Sequence, residues 1–124
     1  MYEDVSKKSA GKHMICDVKQ IKNTRLLNNI EDITQLLDNI CKKYDYHVLH
    51  VVKHEFSPHG ISILYLLSES HISIHTFPER EYLALDIYTC RDYPNNKIYE
   101  TIYQYLVKSF DAKMEIPFIL DRYF

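Results

Sequence analysis

The run ISILYLLSESHISIHTFPEREYLALDIYTC, residues 61–90, decides the fold. Its first part, ISILYLLS, is almost continuously apolar, as expected for a central strand covered on at least one face. HISIHTF and YLALDIYTC are β-rich and separated only by PERE, which makes them the two arms of a hairpin. In the first arm His71, Ser73, His75 and Phe77 point to one face, and Ile72, Ile74 and Thr76 to the other. A hairpin turning on PERE brings Ser70 opposite Thr89 or Cys90, so a serine, a thiol and a histidine are expected to converge. By parity, Ser70 and His75 fall on opposite faces of an unbroken strand. The chain therefore has to bulge, break or bend near Glu69 and Ser70, and such departures often mark functional sites.

Working outward, MICDV at 14–18 reads as a short strand. Ile30, Ile33, Leu36, Leu37, Ile40, Cys41 and Tyr44 recur at helical spacing behind Asn29, with Glu31 and Asp32 at the start and Lys42 and Lys43 at the end. HVLHVVKHEF at 47–56 is another strand, and SPHG a turn. Ile98, Tyr99, Ile102, Tyr103, Leu106, Val107 and Phe110 mark a second helix, and KMEIPFIL at 113–120 a final strand, demoted toward an edge by Pro117. The order β-α-β-β-β-β-α-β predicts an α+β fold. It is a two-layer sandwich, a mostly antiparallel sheet with two helices packed on one face, formed as a single domain over 1–124.

Composition removes several function classes. The chain is 46% apolar with eleven tyrosines, which excludes disorder, and no apolar run approaches the roughly 18 to 20 residues of a membrane span. MYEDVSKKSAGKH is polar and lacks the apolar segment of a secretory leader, so a cytoplasmic location is expected. Cys16, Cys41 and Cys90 form no CxxC pair, which argues against a disulfide framework and a zinc site; Cys16 and Cys41 read as small core residues. A net charge of −2 without a basic stripe argues against nucleic acid as a partner. His71 and His75 lack a third ligand of fitting spacing, so no metal is expected. No glycine flanks Ser70, as the elbow of a serine hydrolase would want.

FSPHGIS, SESHISIHTFPE and DIYTC occur in the order and spacing of the bacterial and archaeal S-adenosylmethionine decarboxylases, and GKHMICDV and LLNN resemble that family's N-terminal pattern. The resemblance implies a pyruvoyl enzyme that makes its cofactor from its own chain. Ser70 would attack the carbonyl of Glu69, and elimination and hydrolysis would leave chains 1–69 and 70–124, the second beginning in a pyruvoyl group. That ketone forms a Schiff base with the substrate amine and draws off the electrons left by decarboxylation, which no ordinary side chain can do. His75 resembles the base for the Ser70 α-proton, Ser62 the hydroxyl that bonds the tetrahedral intermediate, and Cys90 the thiol that returns a proton to the substrate. Phe56 and Phe77 resemble the aromatics that enclose adenine, and Glu79 the carboxylate for the ribose hydroxyls. The family works as dimers with sites at the subunit interface, so a homodimer of processed units is expected, supplying the aminopropyl donor for spermidine synthesis.

The pattern is not followed everywhere. Ile63 and Arg91 stand where glycine commonly follows the matched serine and cysteine, Glu81 replaces another glycine in the hairpin, and Phe77 is often tryptophan. Arg91 is expected to turn to solvent or to pair with Asp92. The new charges of Arg91 and Glu81 leave open an arginine or ornithine decarboxylase on the same scaffold. A non-catalytic homologue is disfavoured, because Ser62, Ser70, His75 and Cys90 are all present.

Overall fold

The computed structural model describes residues 8–124; residues 1–7, the first part of the polar stretch read above, lie outside the described residues. Six strands form one sheet: β1 Ser9–Val18, β2 Val48–Glu55, β3 Ile61–Leu67, β4 Ser70–Phe77, β5 Tyr82–Thr89 and β6 Phe118–Tyr123, with helices α1 Ile30–Lys43 and α2 Lys97–Phe110. The spatial order is β2-β3-β4-β5-β1-β6, and every pairing is antiparallel. Ser70 pairs with Thr89, the first of the two partners expected, and Ser62 pairs with His75.

Local chemistry explains the helices. The Asn29 side chain accepts a hydrogen bond from the Asp32 N–H at 3.0 Å, capping α1 where Glu31 and Asp32 favour the positive end of its dipole. Lys42 and Lys43 suit the other end. Ile33, Leu37, Ile40 and Cys41 of α1 and Tyr99, Ile102, Tyr103, Leu106, Val107 and Phe110 of α2 are buried. Their opposite wall is Ile61, Ile63, Tyr65 and Leu67 of β3, Ile72 and Ile74 of β4, and Leu83, Leu85 and Ile87 of β5. Tyr65 Oη donates to Asp38 Oδ1 at 2.6 Å, and the Thr89 and Tyr99 hydroxyls lie 2.7 Å apart, so each helix is tied to the same face.

Two boundaries differ from the sequence expectation. β6 begins at Phe118 rather than at 113, because Pro117 has no N–H to give the ladder; the strand is nevertheless at an edge. β1 starts at Ser9, well before the apolar run, because β5 and β6 flank it and supply backbone partners whatever the side chains. β3 is covered on one face only. Leu64 and Leu66 stand 46% and 53% exposed on the side away from the helices. Ile15, Val52, Phe118 and Leu120 are exposed too, and the pairings Ile15↔Phe118, His13↔Leu120 and Val52↔Leu64 put all of them on that open face.

Gly11 is where this sheet cannot accept a side chain. Its φ is +101°, and a Cβ there would lie 1.9 Å from the Thr89 carbonyl oxygen and 2.7 Å from Cys90 Cα. Gly11→Ala must therefore push β1 away from the end of β5, and we expect a loss of about 2 kcal/mol or more in denaturant unfolding. A midpoint unchanged from the parent chain would show that this approach does not constrain the fold.

Candidate functional site

The break expected near Ser70 is a two-residue turn, Ser68 and Glu69, between β3 and β4. Ser70 opens β4 with φ of +146°, in the region that a side chain rarely adopts. Such backbone costs of order 1–3 kcal/mol and persists only where neighbours hold it. Here they do. The carbonyl oxygen of Glu69 accepts the Cys90 N–H at 2.8 Å, and the Ser68 N–H donates to the His47 carbonyl at 2.8 Å. Cys90, just beyond β5, is exposed. The other two thiols are poor nucleophiles: burial, helped by Asp17, pushes Cys16 up to about 12, and burial, helped by Asp38, pushes Cys41 up to about 11.

His75 does not join this group. Five residues further along β4, it stands about 17 Å from Ser70 within one chain, so the expected convergence of serine, thiol and histidine is only half met. Its Nδ1 lies 2.6 Å from Ser62 Oγ across the β3–β4 pair. These two residues line an open groove of about 400 Å³ together with Phe56, Phe77, Glu79 and His59. All residues read as substrate contacts thus share one hollow at the far end of β4. His59, which the sequence reading passed over, holds Glu79 through Nε2–Oε2 at 2.9 Å. Its signal was the SPHG turn, whose role as a ligand-side element needs the β2–β3 connection to fold over β4.

His71 finds its partners elsewhere than at His75. Its Nε2 donates to Asp86 Oδ2 at 3.1 Å, and His13 Nε2 bonds the other oxygen of the same carboxylate. Among the described residues these three bring donor atoms within 4.8 Å of one another, the spacing of a metal trio. Arg122 bears on that chemistry. Its guanidinium lies 3.1 Å from His13 Nδ1, which must accept, so the ring proton stays on Nε2, the atom a metal would need free. The trio works as a hydrogen-bond relay beside Ser70.

Arg91 turns neither to solvent nor to Asp92. It donates to the carbonyls of Tyr44 at 3.0 Å and Asp45 at 2.5 Å, and reaches Glu69 Oε2 at 3.4 Å. Its charge is therefore spent at the end of α1, away from the groove that holds Phe56 and Phe77.

Comparison with known proteins gives the chain's family. The family model described as S-adenosylmethionine decarboxylase matches residues 12–119. The chain belongs to the S-adenosylmethionine decarboxylase family. A relative from Thermodesulfovibrio yellowstonii, named S-adenosylmethionine decarboxylase proenzyme, is 32% identical over 111 residues, 90% of this chain and 78% of that protein. S-adenosylmethionine decarboxylase proenzyme 2 of Bacillus cereus is 44% identical over 80 residues, which is 64% of each chain; this match spans less than two thirds of the relative's length. The crystal structure of the adenosylmethionine decarboxylase from Aquifex aeolicus superposes with a TM-score of 0.80 at 31% identity, covering 94% of this chain and 93% of that one. The α+β sandwich is thus the fold of a family of enzymes. Among the described residues no helix is long and apolar enough to cross a membrane.

Family membership gives Glu69 a second interest, since it precedes the matched serine. Burial opposes its charge, but the His47 side chain, the His47 N–H and Arg91 outweigh it and hold the carboxyl down at about 2, against an ordinary 4.5. A carboxyl lowered on folding stabilises the fold fully above its unfolded value. That contribution is lost as pH falls from about 4.5 toward about 2. In a Ser70→Ala background, Glu69→Gln should lower stability at about pH 6, and the gap should close through that window in denaturant titrations. A gap that stays constant on acidification would remove the charged clamp.

Proposed function

We propose that this chain is a proenzyme that cleaves its own Glu69–Ser70 bond, acquires a pyruvoyl group at residue 70 and decarboxylates S-adenosylmethionine. One observation carries the reading: the Glu69 carbonyl is held by the Cys90 N–H immediately ahead of a serine at φ +146°. The same observation supports the fit of the pyruvoyl group. Cleavage removes the peptide nitrogen that defines the strained dihedral, so the strain is relieved in forming the cofactor.

The chain's own atoms account for maturation. Ser70 Oγ attacks the Glu69 carbonyl carbon, and the oxygen that gains charge already faces the Cys90 N–H. The C–N bond breaks to leave an ester from Glu69 to Ser70 and a free amine. An imidazole then removes the Ser70 α-proton, the Cβ–O bond breaks with Glu69 leaving as a carboxylate, and water replaces the resulting imine nitrogen, which departs as ammonia. His75 suits the base, with Nδ1 engaged by Ser62 and Nε2 left to act.

The distance along β4 supports a two-chain reaction, and we read the protein as a homodimer. The open face, with Ile15, Val52, Leu64 and Leu66 exposed, is the surface to bury. A two-fold axis between two such faces, crossing β4 near Ser73, runs the two strands antiparallel. Each Ser70 end then meets the Ser62 and His75 end of the other copy, as an isologous interface requires.

The pyruvoyl group supplies a ketone that takes up the electrons left when carbon dioxide departs. The chain supplies the rest. Phe56 and Phe77 offer faces for adenine and sulfonium, Glu79 shifts from His59 to the ribose hydroxyls, and the exposed Cys90 thiol returns a proton to the α-carbon. Arginine or ornithine would need none of Phe56, Phe77 and Glu79, and the charge of Arg91 is turned away from them, so the amino-acid substrates are not favoured. The product is the aminopropyl donor for spermidine synthesis. Three free cysteines suit the reducing cytoplasm, where we place the protein.

The following outcomes test this. Purified chain should resolve into 1–69 and 70–124 by intact mass, the second blocked to Edman sequencing, and should release carbon dioxide from carboxyl-labelled S-adenosylmethionine. Ser70→Ala should stay whole, and His75→Ala should mature more slowly by a factor on the order of 100 or more. Mixing the two variants should restore cleavage of the His75→Ala chain, because the intact His75 arrives from the partner. No cleavage of the His75→Ala chain in the mixture would overturn the two-chain site.

A further inference from the structure

The sequence reading treated Glu69 only as the residue that donates the scissile carbonyl. In the structure its side chain is the anchor of the turn. The residue is 9% exposed, and both carboxylate oxygens are occupied: the His47 N–H donates to Oε1 at 2.9 Å, and His47 Nδ1–H donates to Oε2 at 2.9 Å. Arg91 lies 3.4 Å from Oε2. The Ser68 N–H donates to the His47 carbonyl at 2.8 Å, so a single residue holds both members of the turn.

Arg91 is itself fixed. It donates to two carbonyls beyond the end of α1, Tyr44 and Asp45, and its guanidinium sits 5.2 Å over the Tyr46 ring. A guanidinium so tied has little freedom left to lose when it faces a carboxylate, which favours a fixed geometry over a mobile surface pair. Glu69 is thus gripped through its side chain by His47 and Arg91, and through its carbonyl by the backbone of Cys90, the residue next to Arg91. Rotation about the Glu69 backbone, which would carry the carbonyl carbon away from Ser70 Oγ, has to break one of these contacts.

We infer that His47 and Arg91 are positioning residues for self-cleavage: they hold the Glu69 carboxylate so that its carbonyl carbon stays in line with Ser70. Neither touches the reacting atoms; both act through Glu69. The inference rests on the reading of Glu69–Ser70 as the cleavage junction. It also gives a role to an arginine that stands where the family pattern resembled above commonly has glycine, and it locates that role in maturation instead of substrate choice.

The test follows precursor disappearance by intact mass in freshly synthesised full-length chain, with near-ultraviolet circular dichroism to confirm a native fold. Arg91→Ala, His47→Ala and Glu69→Ala should each slow cleavage by a factor on the order of 10 to 100, the scale of a misplaced reacting group. The double variant Glu69→Ala with Arg91→Ala should be no slower than Glu69→Ala alone, since Arg91 then has nothing left to position. Arg91→Lys, which keeps the charge and loses the fork, should recover part of the rate. A purely structural role, holding the Tyr44 and Asp45 carbonyls, predicts losses that add in the double variant. Additive losses, or Arg91→Ala and His47→Ala cleaving at the parent rate, overturn the proposal while the parent's own cleavage leaves the junction standing. A parent chain that never cleaves overturns the junction and the proposal together.

Discussion

The register of β4 against its two neighbours is the constraint on which everything else depends. Ser70↔Thr89 and Ser62↔His75 are set by one ladder, and a slip of one residue would turn Ile72, Ile74 and Thr76 out of the core. It would also separate Ser62 from His75 and take the Glu69 carbonyl off the Cys90 N–H. The apolar face of the strand therefore locks the polar face. A core of isoleucines under two helices fixes where a serine, two histidines and a carbonyl stand in the layer above it.

Around that register the polar groups are organised in chains of contacts anchored by side chains distant in sequence. Asp86 of β5 accepts from His13 of β1 and His71 of β4, and Arg122 of β6 bonds His13 from behind. The relay spans four adjacent strands on the open face, and with its donors and acceptors matched it fixes the tautomer of each ring. Glu69 plays the same part at the turn, joining the start of β2, the end of β5 and the end of α1. The contacts of Ser68 and Glu69 lie immediately before Ser70, so its unfavourable dihedral is held by its surroundings.

A sheet covered on one face leaves the other to be dealt with. The described residues place apolar side chains from β1, β2, β3 and β6 on the open side, interrupted by the histidines and Asp86. Such a face is costly to leave in water, and it carries the two halves of the site at opposite ends of one strand. In the homodimer we propose, burying the face and completing the site would be the same event.

Much was legible along the chain. Helical spacing and capping at Asn29 located α1, and the β-rich arms around PERE located the hairpin and put Ser70 opposite Thr89 or Cys90, of which the structure has Thr89. Parity along β4 separated the polar from the apolar residues and demanded a break near Glu69. These are local readings, because periodicity and turn chemistry depend on neighbours within a few residues. What the chain withheld were meetings between distant segments. Parity could say which face His75 occupies but not which side chain meets it there, since Ser62 reaches it only across the β3–β4 pair. Arg91 read as a surface charge, since nothing near it in sequence reveals that Tyr44, Asp45 and Glu69 converge on it. His47 and His59 looked like ordinary polar residues until the ends of β2 were folded against β4. Residue types and strand faces follow from the sequence by stereochemistry; which carboxylate meets which cation is decided only when the core has fixed the distances between strands.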